Sequence, residues 1–128
     1  MRGYPIVAGA FQEPLNFIQY GLGDEYRPHC DGVCHKTPYS RGGRVATLIH
    51  YCQAPDEGGA TVFPNSGLKI VPRKNSALLF SYKGDDGMMD SGGTMHSGCL
   101  VRKGPKQIVT MWMREDANKD EPWDAFLS

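Results

Sequence analysis

Glycine and proline interrupt this chain too often for long helices to form. Sixteen glycines and nine prolines lie between short runs of β-branched and aromatic residues, a pattern that favours many strands with tight turns over a helical bundle. The clearest strand is predicted over Arg44–Gln53. There Val45, Thr47, Ile49 and Tyr51 share one face while Ala46, Leu48 and His50 take the other, and an apolar majority on both faces points to burial on both sides. Further strands are expected over residues 15–20, 60–63, 68–72, 76–82 and 107–114, separated by turns rich in Gly, Pro, Asn and Asp. The polar stretches 32–43 and 83–93 read as mobile loops.

A length of 128 residues allows one domain and one core. Fourteen basic and fourteen acidic residues leave no net charge, so the basic field that a phosphate backbone requires is missing and nucleic acid is not an expected partner. No apolar run approaches the ~18 residues of a membrane span, and no membrane partner is expected. Ala8-Gly9-Ala10 resembles a signal-peptidase site, but Ile6-Val7 is far too short an apolar region, so no targeting signal is read. Cys30, Cys34, Cys52 and Cys99 lack the paired Cys-X-X-Cys knuckles of structural zinc modules and are not expected to hold zinc. Met88 and Met89 are read as packing residues.

Chemistry concentrates in Tyr26-Arg27-Pro28-His29-Cys30-Asp31-Gly32. In an extended segment, alternation turns His29 and Asp31 to one face and Cys30 to the other. His-X-Asp alone also fits a polar turn; His96 is the third ligand that gives it weight. Two histidines and one carboxylate on one side of an ion are the ligand set of non-haem Fe(II) oxygenases, which leaves positions open for substrate and oxygen. Lys106 follows His96 by ten residues, past a turn at Arg102-Lys103-Gly104-Pro105. Apolar pairs flank that turn, which predicts adjacent antiparallel strands with the lysine about 15 Å along the ladder at ~3.3 Å per residue. A short dicarboxylate, chelating the metal at one end and paired with the ammonium at the other, would bridge that gap. Alternatively Lys106 is a solvated residue after a turn. Thr47 and Tyr51 place two hydroxyls on one strand face, available either to backbone or to a buried carboxylate beside Lys106.

These residues, with Tyr20 and Tyr26 nine and three positions before His29, resemble the catalytic domain of the prolyl 4-hydroxylases, which are Fe(II)- and 2-oxoglutarate-dependent dioxygenases. Gly43–Leu48, Glu57–Pro64, Ala77–Phe80, His96–Cys99 and Thr110–Trp112 resemble family blocks in family order. The resemblance covers about residues 15–114. It implies an all-β or β-rich double-stranded β-helix, a jelly-roll barrel over residues 15–114, with 1–14 and 115–128 as extensions. The N-terminal helical region that usually supports this barrel is not recognised in the sequence. The resemblance implies His29, Asp31 and His96 as metal ligands and catalytic centre. Around 2-oxoglutarate it implies Lys106, Thr47, Tyr51, Tyr20 and Thr110, and on the substrate side Tyr26, Arg44 and Trp112. The implied reaction hydroxylates a peptidyl proline with O2, yields succinate and CO2, and uses ascorbate to keep the iron reduced. Another side chain or a small molecule is an alternative target, since the ligands specify the oxidant and not what it attacks. A truncated, non-catalytic binding domain is the alternative from another class. Cys99 matches a family cysteine that can be disulfide-bonded, but the insertion bearing its partner is missing. Replacing all four cysteines with Ser is expected to leave iron binding intact. The compartment is left open, although eukaryotic relatives are often in the endoplasmic reticulum.

Overall fold

A computed structural model describes residues 6–127; the first five residues of the expected N-terminal extension, and Ser128, lie outside the described residues. The strands are β1 (Asn16–Tyr20), β2 (Tyr26–His29), β3 (Arg44–Gln53), β4 (Glu57–Gly58), β5 (Thr61–Phe63), β6 (Leu68–Ile70), β7 (Ser76–Ser81), β8 (His96–Gly98), β9 (Val101–Lys103) and β10 (Lys106–Arg114). Two four-stranded antiparallel sheets, in the orders β1-β10-β3-β7 and β2-β8-β5-β6, enclose the core, and β4 pairs with β9. Among the described residues the only helical pieces are 3-10 turns at Pro64–Ser66 and Trp123–Phe126. This is the double-stranded β-helix expected from the sequence.

The strand expected over Arg44–Gln53 forms with those bounds and lies between β10 and β7. Its register makes the inner rows of the first sheet. Ile18 faces Ile108, Ile108 faces Tyr51, Thr110 faces Ile49 and Trp112 faces Thr47. On the other side Ile49 faces Leu78 and Thr47 faces Phe80. Tyr20, Ile49, Tyr51, Val101 and Ile108 form the buried core, with Ile18, Leu78 and Phe80 packed against it. Phe63 of β5 meets Phe80 of β7 edge to face at 5.1 Å, a contact that ties the two sheets together.

Burial of β3 is unequal on its two faces. Val45, Thr47, Ile49 and Tyr51 are buried, whereas on the other face only Ala46 is buried, Leu48 is half-buried and His50 exposed. The outer row of that sheet, with Phe17, Met111 and Leu79, is exposed to solvent, so apolar composition overstated the burial there.

The expected ladder between His96 and Lys106 does not form. β8 belongs to one sheet and β10 to the other, and the short β9 between them pairs with β4, Glu57 opposite Lys103 and Gly58 opposite Val101. Val101, read as the flank of a hairpin, is instead a core residue at 1% exposure. The chain therefore crosses between sheets before Lys106.

The two stretches read as mobile loops are laced together. Lys36 N–H donates to the Asp90 carbonyl at 2.9 Å, Met89 N–H to Thr37 at 2.8 Å, and Tyr39 N–H to Gly87 at 2.9 Å. The C-terminal segment packs onto the same region. Arg41 forms a two-pronged pair with Glu121 at 2.7 and 2.8 Å, and Trp123 N–H donates to the Phe11 carbonyl at 2.8 Å.

Candidate metal and cosubstrate site

His29 closes β2 directly opposite His96 in β8, so the ladder itself brings the two rings within 4.3 Å. Phe63 and Phe80 pack against the His96 ring at 5.4 and 5.0 Å and limit its rotation. Nδ1 of His29 lies 2.8 Å from the Arg27 carbonyl, and Nδ1 of His96 lies 2.9 Å from that of Thr94. A carbonyl only accepts, so we assign the hydrogen of each ring to Nδ1 and a lone pair to each Nε2. Both Nε2 atoms face Asp31 Oδ1, at 3.2 and 3.6 Å, and the three ligand atoms lie within 4.8 Å of one another. Three acceptors aimed at one point repel one another unless a cation lies between them. The two-imidazole, one-carboxylate set fits Fe(II).

Asp31 stands just beyond the end of β2 and is positioned from β3. The Thr47 hydroxyl donates to Asp31 Oδ2 at 2.8 Å, and Arg44 Nη1 donates to the Asp31 carbonyl at 3.1 Å. Gly32 allows this approach, since a Cβ there would collide with the Tyr82 ring. Burial pushes the Asp31 carboxyl up, but without a cation between the three groups the hydrogen bond and charge that the imidazoles of His29 and His96 offer when protonated, with the Thr47 hydroxyl, outweigh it and hold the group below the ordinary carboxylate value. Burial pushes His96 below the usual imidazole range, only partly offset by the Thr94 carbonyl. A neutral imidazole is the form that ligates metal.

Of the expected site residues, Tyr20, Tyr26, His29, Asp31, Tyr51, His96, Lys106, Thr110 and Trp112 line one cavity between the sheets. Thr47 and Arg44 do not. Thr47 was expected to donate to a cosubstrate carboxylate, but its hydroxyl is engaged by Asp31 and by Tyr82 Oη at 3.0 Å. Arg44, expected on the substrate side, stacks on Trp112 at 4.1 Å. Its Nε and Nη2 donate to Glu13 at 2.7 Å each. Glu13 also accepts from Arg114 Nε at 2.9 Å, an arrangement that no pattern in the N-terminal stretch signals.

Lys106 enters the cavity from β10. It is 2% exposed, its Nζ lies 4.3 Å over the Tyr20 ring, and a Cβ on Gly98 would stand 3.5 Å from that Nζ. The ammonium thus sits beside the residue two positions past His96 on β8, about 6.6 Å along the strand at ~3.3 Å per residue. Burial pushes the amine down to about 8, and the nearby Cys99 offsets this only slightly. Among the described residues no carboxylate pairs with it. An anion is the partner that such a group lacks. Tyr51 Oη and Thr61 Oγ1 are joined at 2.7 Å in the same cavity lining. Thr61 and Gly98 were not singled out from sequence, although alternation within the expected strand over residues 60–63 gives Thr61 and Phe63 one face.

The sequence profile of the 2OG-Fe(II) oxygenase superfamily matches residues 15–114. The chain belongs to that superfamily. Membership implies Fe(II) and 2-oxoglutarate as its metal and cosubstrate, which the His29, Asp31, His96 cluster and the unpartnered Lys106 fit. Prolyl 4-hydroxylase subunit alpha-1 of Caenorhabditis elegans is 36% identical over 114 residues, covering 84% of this chain and 20% of the relative. Probable prolyl 4-hydroxylase 8 of Arabidopsis thaliana is 34% identical over 120 residues, covering 78% and 41%. The chain thus spans about a fifth of the nematode subunit and two fifths of the plant protein. Among solved structures, the viral collagen prolyl hydroxylase of Paramecium bursaria Chlorella virus-1, in its 2OG complex, aligns with a TM-score of 0.68 at 32% identity. That alignment covers 85% of this chain and 64% of the viral one.

Proposed function

We propose that this chain is a 2-oxoglutarate-dependent dioxygenase that hydroxylates proline in peptides. The observation that carries the reading is the placement, in one cavity, of three groups able to ligate a metal and a buried lysine with no anionic partner among the described residues. His29 Nε2, His96 Nε2 and an Asp31 oxygen would hold the iron on one face. Lys106 would pair with the distal carboxylate of 2-oxoglutarate, with Thr110 and the Tyr51–Thr61 hydroxyl pair nearby. Tyr20, whose phenol burial raises to about 12, stays protonated as a neutral neighbour. Together with 2-oxoglutarate and O2, bound iron supplies the oxidising power to break an unactivated C–H bond, releasing succinate and CO2. Ascorbate would serve to keep that iron reduced.

The substrate assignment rests on the rim. Tyr26 is 44% exposed with its ring 4.1 Å from that of His29, which offers a flat apolar face beside the metal for a pyrrolidine ring. Trp112 lines the cavity and its buried Nε1 has no acceptor among the described residues, leaving a donor for a peptide carbonyl. Prolyl 4-hydroxylases among the relatives support the same target. Succinate release and a 16-dalton gain in proline-containing peptides, compared with the same peptides carrying Ala, test it. Turnover that ignores the proline would move the target to another acceptor.

A further inference from the structure

Cys30 lies between two metal ligands in sequence, and its sulfur is bonded to that of Cys34, closing a five-residue ring that contains Asp31. We propose that this disulfide is a clamp that positions Asp31, so that the affinity of the site for a divalent cation follows the redox state of the Cys30–Cys34 pair. The inference rests on the metal-site reading above.

The two neighbouring ligands are held in different ways. His29 is fixed by its ladder position opposite His96 and by the Arg27 carbonyl. Asp31 lies past the end of β2, and regular strand resumes only at Arg44. Beyond Asp31 the first cross-loop backbone bond among the described residues is that of Lys36 N–H to Asp90. Between those points runs Gly32-Val33-Cys34-His35, opened by a glycine whose wide choice of backbone conformations would let the carboxylate swing away. The Cys30–Cys34 bond closes that stretch. Closing a five-residue ring corresponds, in the chain-entropy picture, to about a thirtyfold bias toward the closed geometry. Thr47 and Arg44 hold Asp31 independently, so reduction weakens the site without abolishing it, by about three- to thirtyfold.

The pair is half-buried and reachable by small reagents. A phosphine reductant attacks one sulfur and breaks the S–S bond. Water then supplies the oxygen of the phosphine oxide and the two protons of the Cys30 and Cys34 thiols. This replaces the expectation that metal binding is independent of the cysteines, which did not foresee the bond between Cys30 and Cys34.

The test is Mn(II) binding to the full chain, read from the spin-resonance signal of free Mn(II), before and after phosphine treatment and with thiols counted in each state. Mn(II) prefers oxygen and nitrogen over thiolate, so the released thiols do not compete for it. The expected result is two free thiols and tight binding before reduction, then four thiols and three- to thirtyfold weaker binding after it. Cys52→Ser/Cys99→Ser should keep this dependence. Cys30→Ser/Cys34→Ser should bind weakly with or without phosphine; should that variant not fold by circular dichroism, the wild-type comparison decides alone. Equal affinity in both wild-type states, four free thiols before reduction, or a redox dependence surviving in Cys30→Ser/Cys34→Ser would overturn the clamp. Absence of Mn(II) binding in both states, or binding indifferent to His96→Ala, would remove the metal site and the clamp with it, so the two failures are distinguishable.

Discussion

Replacing Lys106 with Met should change binding and stability in opposite directions. Lys106 is 2% exposed and burial holds its amine at about 8 instead of 10.5, which puts the cost of charging it without a counter-charge at roughly 3 kcal/mol at ~1.4 kcal/mol per tenfold. Met fills nearly the same volume without that charge. The metal-free, cosubstrate-free chain should therefore gain up to about 3 kcal/mol of stability at pH 7. The same change leaves the distal carboxylate of 2-oxoglutarate buried without a counter-charge, a loss of ~3–5 kcal/mol, or more than a hundredfold in affinity. Metal affinity should stay unchanged. The pH dependence has a definite sign. Because the folded amine titrates below the unfolded one, the unfolded chain binds more protons between pH 8 and 10.5, and wild-type stability should rise across that window. Lys106→Met should lack that rise. Since binding needs the ammonium, 2-oxoglutarate affinity should fall about tenfold per pH unit above 8, with uptake of one proton per molecule bound. Calorimetric titration in two buffers of different ionisation enthalpy, with Mn(II) present, gives affinity and proton count; chemical denaturation gives stability. Equal 2-oxoglutarate affinity in the two proteins would refute the pairing.

Thr47→Val removes the hydroxyl that holds Asp31 Oδ2; metal affinity should fall by about 10- to 100-fold, the usual effect of losing a group that orients a ligand, as a Mn(II) titration would show. Gly98→Ala places a methyl 3.5 Å from Lys106 Nζ and 3.7 Å from Tyr20 Oη. It should lower 2-oxoglutarate affinity on the order of tenfold, the scale of one methyl group in a pocket, with Mn(II) affinity unmoved. Glu13→Gln leaves Arg44 and Arg114 without their shared carboxylate and should destabilise the fold by ~3–5 kcal/mol in a denaturation curve. Burial pushes the Glu13 carboxyl up, but the two guanidinium groups outweigh it and hold it below 4.5. Its contribution is therefore present above pH 4.5 and lost as pH falls below that value, and the Glu13→Gln penalty should shrink in acid.

The strands were legible where alternation is strong. β3 formed over the expected residues, and the cluster of His29, Asp31 and His96 was readable because His-X-Asp at a strand end and a lone inward histidine need only local geometry to be recognised. Long-range pairing was not legible. The turn before Lys106 looked like a hairpin because its flanks are apolar, yet Val101 pairs with β4 and Lys106 joins the other sheet. The spacing rule for a ladder therefore does not apply between His96 and the lysine. Thr47 shares a face with Tyr51 as expected, but Asp31 arrives from outside the sheet and takes its hydroxyl. Glu13 and the Cys30–Cys34 bond were likewise invisible, since each depends on which loops approach one another.

An anaerobic titration with Fe(II) and 2-oxoglutarate tests the whole site at once, because a 2-oxo acid chelated to ferrous iron gives a visible charge-transfer band. The expected result is a band that saturates at one iron and one 2-oxoglutarate per chain, is absent in His96→Ala, and needs more than a hundredfold higher 2-oxoglutarate in Lys106→Met. A wild-type chain that gives no band, or a band of equal strength in His96→Ala, would contradict the assignment of His29, Asp31 and His96 as the centre of an oxygenase.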